Sequence, residues 1–340
     1  MQYKQFGQTG WRVGVMGIGG IPIQRTDTDV AKSVIAAALE AGVNFIDSAR
    51  GYTDSEEKFG HALSGVREKF IIATKSMARD GATMRKDLET SLRNFQTDYI
   101  DLYQLHNLST EQDLQQAIAP DGAVAALQQA VQSGLVRQIG VSSHNYQVLQ
   151  QAVDTGLFAC IQVPINAVER QFVPVLQSAK ERGMGTIAMK PLAGGSFKRP
   201  DLALRQLLAE PLVDVLIPGV DSVEQMQQNA ALANDYRPLS EEEAALLAAE
   251  VADLGKGFCR RCEYCLPCPE GIRIPQVFIL EGYVTRYNLA EWAQGRYAAM
   301  DSNAASCAEC GLCESRCPYQ LPIREMLKRA HGNLSTNTGR

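Results

Sequence analysis

The chain has 340 residues, 45% of them apolar, and a net charge of −5, the proportions of a globular protein rather than a disordered or fibrous one. The acidic balance argues against nucleic acid as a partner. No apolar run approaches the roughly 18 residues that cross a bilayer, so no membrane partner is expected.

The opening residues MQYKQFGQTGWRV lack an apolar signal core, which predicts a cytoplasmic protein. Its length exceeds what one ordinary core holds, which predicts one large domain and a smaller one. Within the opening, YKQFGQTGWRVG reads as a small hairpin turning at Thr9-Gly10, placed to plug the bottom of a barrel. Candidate strands follow at residues 13–19, 44–47, 70–75, 100–106, 138–142, 160–166, 185–191 and 213–219. Helical patterns such as 31–41, 83–95, 123–134 and 173–182 lie between them. Ser55 reads as an N-cap, with Glu56 and Glu57 in the first turn of its helix.

Eight βα units over roughly 250 residues predict an α/β fold, the closed (β/α)8 TIM barrel. An open doubly wound sheet fits less well, because no G-x-G-x-x-G follows the first strand. Ser240 with Glu243 makes a capping box before residues 244–254, so a terminal helix is expected to close a barrel domain over 1–255. Residues 255–257 read as a joint, 256–335 as a small helical domain and 336–340 as a frayed tail.

Barrel enzymes place their chemistry at the C-terminal ends of the strands. There the sequence offers Asp47, the loop residue Tyr52, Lys75 and His106. Taken singly these could be a loop cap, a packed ring, a surface charge and a core histidine. A lysine closing the apolar run FIIAT, however, requires a partner, because a buried unpaired ammonium is costly. Asp47 at the neighbouring strand end can supply it. A phenol titrates near 10 in water and an ammonium close by lowers that value, making a usable proton donor. An imidazole can steer a carbonyl toward that donor. The set suits carbonyl reduction by hydride and does not suit hydrolysis, having no nucleophile–base pair.

At these residues the sequence resembles the aldo-keto reductases, through FIDSARGYTDSEEKFG, FIIATKS, DLYQLHNL, GLVRQIGVSSHN and VLIPGVDSVEQMQQN over residues 1–255. The resemblance implies catalytic roles for Asp47, Tyr52, Lys75 and His106. It also implies NADP(H) or NAD(H) lying across the barrel mouth, near Gly19, with Ser142, Ser143 and Gln162 at its carboxamide. The loop after the seventh strand (Met189, Lys190, Pro191, Leu192 and on to Gly195) and the stretch 218–229 (Pro218, Gly219, Gln225, Gln228, Asn229) would hold the rest. Two positions depart from the pattern. Met189 stands where many relatives stack an aromatic ring, and Gly219, Val220 and Gln225 stand where relatives grip a 2′-phosphate. Lys198 and Arg199 are alternative cations for that phosphate.

Eight of nine cysteines fall in two runs: Cys259, Cys262, Cys265, Cys268, each separated by two residues, and Cys307, Cys310, Cys313, Cys317, the last separated by three. The second run has the spacing of a [4Fe–4S] ferredoxin, and four thiolates per cubane use all eight. Zinc is the alternative, although zinc sites separate two C-x2-C pairs by a longer stretch. The region resembles the ferredoxin-type domain of one branch of aldo-keto reductases. That resemblance implies exchange of the fourth cysteines: Cys317 would join Cys259, Cys262 and Cys265, and Cys268 would join Cys307, Cys310 and Cys313. The first run is one residue short before Cys268. Cys160 reads as a small core residue, and Arg260, Arg261, Arg273, Arg286, Arg296 and Arg316 as solvated charges or a docking patch.

The expected function is therefore an NAD(P)H-dependent oxidoreductase acting on a small carbonyl or the matching alcohol, carrying two [4Fe–4S] clusters, with an electron-carrier protein as a candidate partner. A redox adaptor or sensor whose barrel binds nucleotide but turns over little is the second reading. A third has the clusters feeding electrons directly to an activated substrate.

Overall fold

In the computed structural model, which describes residues 1–261 and 263–335, the predicted hairpin is formed by strands β1 (Tyr3–Gln5) and β2 (Arg12–Gly14), with Tyr3 opposite Gly14. Eight parallel strands follow: β3 (Ile18–Gly19), β4 (Phe45–Asp47), β5 (Ile71–Ser76), β6 (Ile100–Leu105), β7 (Val136–Ser142), β8 (Cys160–Pro164), β9 (Gly185–Met189) and β10 (Val215–Ile217), neighbours in chain order throughout. The two edges also meet. Gly17 N donates to Leu216 O, Leu216 N to Val15 O and Gly19 N to Pro218 O, at 2.7, 3.0 and 2.8 Å. These bonds close the sheet into the barrel. Gly19 and Gly219 bridge across this seam. A Cβ at Gly19 would lie 2.6 Å from Ile217 O, and one at Gly219 would lie 2.7 Å from Pro22 Cγ.

Side chains two apart on a strand point the same way. In the lumen Phe45, Ala73, Leu102, Cys160, Ile187 and Val215 make an apolar layer, floored by Phe6 and Val13 of the hairpin region. Phe6 packs against Phe45 with ring centroids 5.8 Å apart. Two residues further along the same strands come Asp47, Lys75, Gln104, Gln162, Met189 and Ile217, and His106 stands two beyond Gln104. The pleat alone therefore lifts a polar layer onto an apolar one at the C-terminal mouth. Cys160 is fully buried in the lower layer, and burial raises its thiol pKa far above the usual value.

Around the barrel run α1 (Thr28–Glu40), α2 (Ser55–Ala62), α3 (Gly81–Phe95), α4 (Glu111–Ile118), α5 (Ala123–Gln132), α6 (Tyr146–Asp154), α7 (Val173–Glu181), α8 (Pro200–Leu208) and α9 (Val223–Asn234). Two helices follow β6 where one was expected. The extra one, α4, is set by a capping box: Asp113 N donates to Thr110 Oγ1, and Thr110 N to the Asp113 carboxylate. The N-cap expected at Ser55 is instead Asp54. Ser55 is the first helical residue, and its hydroxyl turns inward to donate to Gly20 O at 2.9 Å. Glu56 is buried and Glu57 exposed.

The chain divides into two compact units, one of residues 1–192 with 199–241, the other of 193–198 with the chain from Glu242 onward. Helix α10 (Glu241–Gly255) counts with the second unit, as do α11 (Ile274–Thr285), α12 (Ala290–Ala298), α13 (Leu312–Ser315) and α14 (Ile323–Ser335). The core of that unit contains Val277, Leu280, Ala293, Tyr297, Met326 and Ala330. Among the described residues no helix is long and apolar enough to cross a membrane. The tail expected to fray, 336–340, lies outside the described residues.

Candidate active site and cysteine cavities

Asp47 ends β4 and Lys75 lies near the end of β5, so the pairing of these strands brings their side chains together in the lumen. Lys75 Nζ lies 2.6 Å from Asp47 Oδ1 and donates to Ser48 O at 2.6 Å. Both side chains are almost fully enclosed. Burial drives each toward its neutral form, raising the Asp47 pKa and lowering that of Lys75, while their mutual attraction opposes this in both. Two amides complete the layer. Gln162 Nε2 donates to Asp47 Oδ1 and Gln104 Nε2 to Asp47 Oδ2, each at 3.3 Å, and Gln104 Nε2 also reaches Gln162 Oε1 at 2.8 Å.

Tyr52 sits on the loop between β4 and α2, its ring partly exposed. Lys75 Nζ lies 5.1 Å from the ring centroid, and the His106 ring stands edge-on to it at 5.8 Å and 88°. The four expected residues are therefore gathered at one end of the lumen. A further hub lies behind them. The buried Glu56 accepts from Arg50 at 2.6 Å, Thr74 at 2.6 Å, Ser91 at 2.8 Å and Asn94 at 3.2 Å. It thereby ties the Tyr52 loop to the strand carrying Lys75, and its negative charge favours the protonated form of that lysine.

His106 is held neutral. Burial, and then the charges of Lys75, Arg79 and Lys190, push its pKa well below 6.5. Its Nδ1 is buried without a hydrogen-bond partner among the described residues. A group whose folded pKa is depressed binds protons more readily when unfolded, so it withdraws stability as pH falls below 6.5 toward the folded value. In that window, chemical denaturation should show the protein losing up to about 1.4 kcal/mol per pH unit relative to His106→Asn. Parallel curves for the two proteins would contradict the neutral imidazole.

The residues expected at the cofactor lie at the ends of β3, β7, β8 and β9, in the loops after β9 and β10, and in α9. Ser142 Oγ donates to Leu105 O (3.3 Å) and accepts from Asn107 N (3.0 Å). Ser143 Oγ donates to Leu108 O at 2.6 Å. Both hydroxyls, like Gln162, are engaged within the protein. Met189 is buried in the polar layer, Lys190 is half-buried, Pro191 buried and Leu192 half-buried. In the last loop Pro218 is buried and Gly219 exposed at the seam. Gln225 accepts from Asp221 N at 3.0 Å, Gln228 is bonded to Glu224, and Asn229 is half-buried in α9. Arg199 is exposed beside Asp201 at 3.4 Å, and Lys198 is exposed. Sequence reasoning missed Arg25, which forms an ion pair with Asp221. No spacing signal links those two positions.

In the second unit cysteines border two small cavities. Cys259, Cys265 and Cys317 line the first; Cys265, Cys268, Cys307, Cys310 and Cys313 line the second. The expected ligand Cys262 lies outside the described residues. Ile274 borders both cavities, and Phe278, Leu321 and Ile323 make the first largely apolar. Several cysteines bordering a largely apolar space are the donor type and surroundings that a [4Fe–4S] cubane takes. Several of the arginines are drawn into packing: Arg260 over Tyr319 at 4.0 Å, Arg296 over Trp292 at 3.6 Å, and Arg316 donating to Pro267 O at 3.0 Å.

Comparison with known proteins agrees with both halves. The sequence profile of the "Aldo/keto reductase family" matches residues 12–201, and that of a "4Fe-4S dicluster domain" matches residues 258–322. An uncharacterized oxidoreductase of Bacillus subtilis, YqkF, is 28% identical over 75% of this chain and 99% of its own length. The methylglyoxal reductase YeaE of Escherichia coli is 29% identical over 72% of this chain and 86% of its own. The aldo-keto reductase AKR11C1 of Bacillus halodurans, in its holo form, superposes with a TM-score of 0.65 at 26% identity over 75% of this chain and 96% of that one. A Klebsiella pneumoniae aldo-keto reductase in complex with NADPH gives 0.60 at 26% identity, over 73% and 95%. With more than half its length matched by that first profile, the chain belongs to the aldo/keto reductase family and is an oxidoreductase of that type, extended by a 4Fe-4S dicluster domain.

Proposed function

We propose that the enzyme reduces a small carbonyl compound with NADPH at the barrel mouth, and that its C-terminal unit holds two [4Fe–4S] clusters. The observation that carries the first half is the approach of the buried Lys75 ammonium and the neutral His106 ring to one tyrosine. When bound, the nicotinamide supplies a hydride to the carbonyl carbon. Tyr52 gives its proton to the carbonyl oxygen as that oxygen gains charge. The Lys75 ammonium stabilises the phenolate that remains, and Asp47, held by Gln104 and Gln162, keeps Lys75 charged and oriented. His106, being neutral, donates one hydrogen bond to the carbonyl without competing as an acid.

The NADPH complex of the Klebsiella relative supports that cofactor over NADH. For the clusters, the cavity linings support exchange of the fourth cysteines. Cys259, Cys262, Cys265 and Cys317 would hold one, and Cys307, Cys310, Cys313 and Cys268 the other. Both clusters would exchange single electrons with a carrier protein, apart from the hydride step, in the reducing cytoplasm.

One anaerobic preparation tests both parts. It should contain about eight irons per chain, falling to about four in Cys268→Ser, and should oxidise NADPH faster than NADH when methylglyoxal is added. No nicotinamide oxidation with any of a panel of small aldehydes and ketones would reject the reductase reading.

A further inference from the structure

The proton donor of the proposed reaction rides on a loop whose crown, Gly51 and Thr53, is exposed. A reacting group displaced by about 1 Å can lose 10²-fold in rate, so such a donor has to be held. The backbone ties it first. Ser48 N donates to Ala73 O and Arg50 N to Lys75 O, both at 2.9 Å, which carries the pairing of β4 with β5 into the loop. Tyr52 N donates to Ala49 O at 3.0 Å, and Tyr52 O accepts from Ser55 N at 2.8 Å. Thr53 then takes the left-handed region, at φ 39, which outside glycine persists where the surroundings impose it.

An ion pair closes the loop. Arg50, two residues before Tyr52, donates through Nη1 to Oε2 of Glu56, four residues after it, at 2.6 Å. The tyrosine is bracketed by the two members of that pair. Oε1 of the same carboxylate accepts from Thr74 Oγ1 at 2.6 Å and from Ser91 Oγ at 2.8 Å. Thr74 precedes Lys75 on β5, and successive side chains on a strand point to opposite faces. Glu56 therefore holds β5 from outside the barrel, while Asp47 holds Lys75 within the lumen.

A charge serving only the helix dipole can do so from solvent, as the exposed Glu57 does. The Glu56 side chain is instead 1% exposed and that of Arg50 24%. Packing alone gives little reason to bury an ion pair, which uncharged side chains of similar volume often replace without loss. What the pair does supply is a fixed link between the start of the loop, the start of α2 and the strand that carries Lys75. Burial lowers the Lys75 pKa, against which Asp47 and then Glu56 raise it.

Resting on the reductase reading above, we propose that Arg50 and Glu56 are positioning residues of the reaction, whose ion pair brackets Tyr52 and fixes it against Lys75, so that breaking the pair costs turnover rather than substrate binding. The charged and titratable groups packed on Tyr52 and Lys75 are Asp47 from β4, Arg50 from the loop, Glu56 from α2 and Asp87 from α3, 4.0 Å from Arg50. Past β6 comes the neutral His106, with Arg79 and Lys190 near it. Arg50 is the one of these that can be changed without touching the lumen.

The test compares Arg50→Met, Arg50→Lys, Glu56→Gln and the double variant Arg50→Met with Glu56→Gln. Each is assayed for carbonyl reduction and by ultraviolet difference titration of the phenol, referenced to the same protein carrying Tyr52→Phe. Arg50→Met and Glu56→Gln should each lower kcat at least about tenfold with little change in KM. The double variant should fall no further than the worse single one, because either change opens the same bracket. In Arg50→Met the phenol should titrate roughly half a pH unit higher, since a cation is lost and the ring is freed from Lys75. Arg50→Lys, which keeps the charge, should return the titration to its place and recover part of kcat. An unmoved phenol titration in Arg50→Met, an unchanged kcat, or a double variant that loses the product of both single effects overturns the proposal. Should Glu56→Gln fail to fold, the partly exposed Arg50 and its two variants still decide the matter. The titration needs no turnover, so a wild-type protein that reduces no carbonyl strikes the reductase reading while the bracket is judged separately.

Discussion

Replacing Tyr52 with Phe should lower kcat about 10²- to 10⁴-fold, the usual contribution of a positioned general acid, while the thermal midpoint stays within a degree or two. The ring is partly exposed, and its packing against His106 survives loss of the hydroxyl. The Lys75 ammonium beneath it keeps Asp47 Oδ1 and Ser48 O, both at 2.6 Å. A steady-state assay beside a melting curve makes the test. An unchanged kcat would mean that the proton comes from another group.

The second large effect is on stability. Asp47→Ala should cost about 3–5 kcal/mol, because it strands the Lys75 ammonium in the lumen with a carbonyl in place of a carboxylate. For a barrel of this size that is roughly a 10 °C fall in midpoint. The double variant Asp47→Asn with Lys75→Met should recover much of the loss, since a buried pair is often replaceable by uncharged side chains of similar volume. It should recover no activity. If the double variant is as unstable as Asp47→Ala alone, the loss belongs to packing of the lumen and not to the uncompensated charge.

These effects were legible in the sequence because β-strand pleating has a period of two. Asp47 and Lys75 are each two residues beyond a small or apolar lumen position, Phe45 and Ala73, and each ends a run that must be buried. The same reasoning would have marked Gln104, two before His106, had its place inside the apolar run DLYQLH not disguised it as strand filler. Glu56 was harder. At the start of a helix it reads as a charge for the dipole, and only tertiary structure shows it accepting from Arg50, Thr74, Ser91 and Asn94. The cysteine runs were the clearest signal, since ligand spacing is local. The cofactor end was the least clear. Ser142 and Ser143 are matched by type, yet both hydroxyls are bound within the protein, and the Arg25–Asp221 pair joins positions 196 residues apart.

The glycine seam limits which side chains the barrel can carry where its edges meet. A methyl group at Gly19 would meet the facing strand at Ile217 O, and one at Gly219 would meet the ring of Pro22, both at under 3 Å, so a lysine or arginine there must displace the seam at the first position and Pro22 at the second. On the proposed placement of the cofactor, a change of dinucleotide would run more readily through the flanks, where trading either member of the Arg25–Asp221 couple alters the local charge and leaves the bare backbone of the seam untouched.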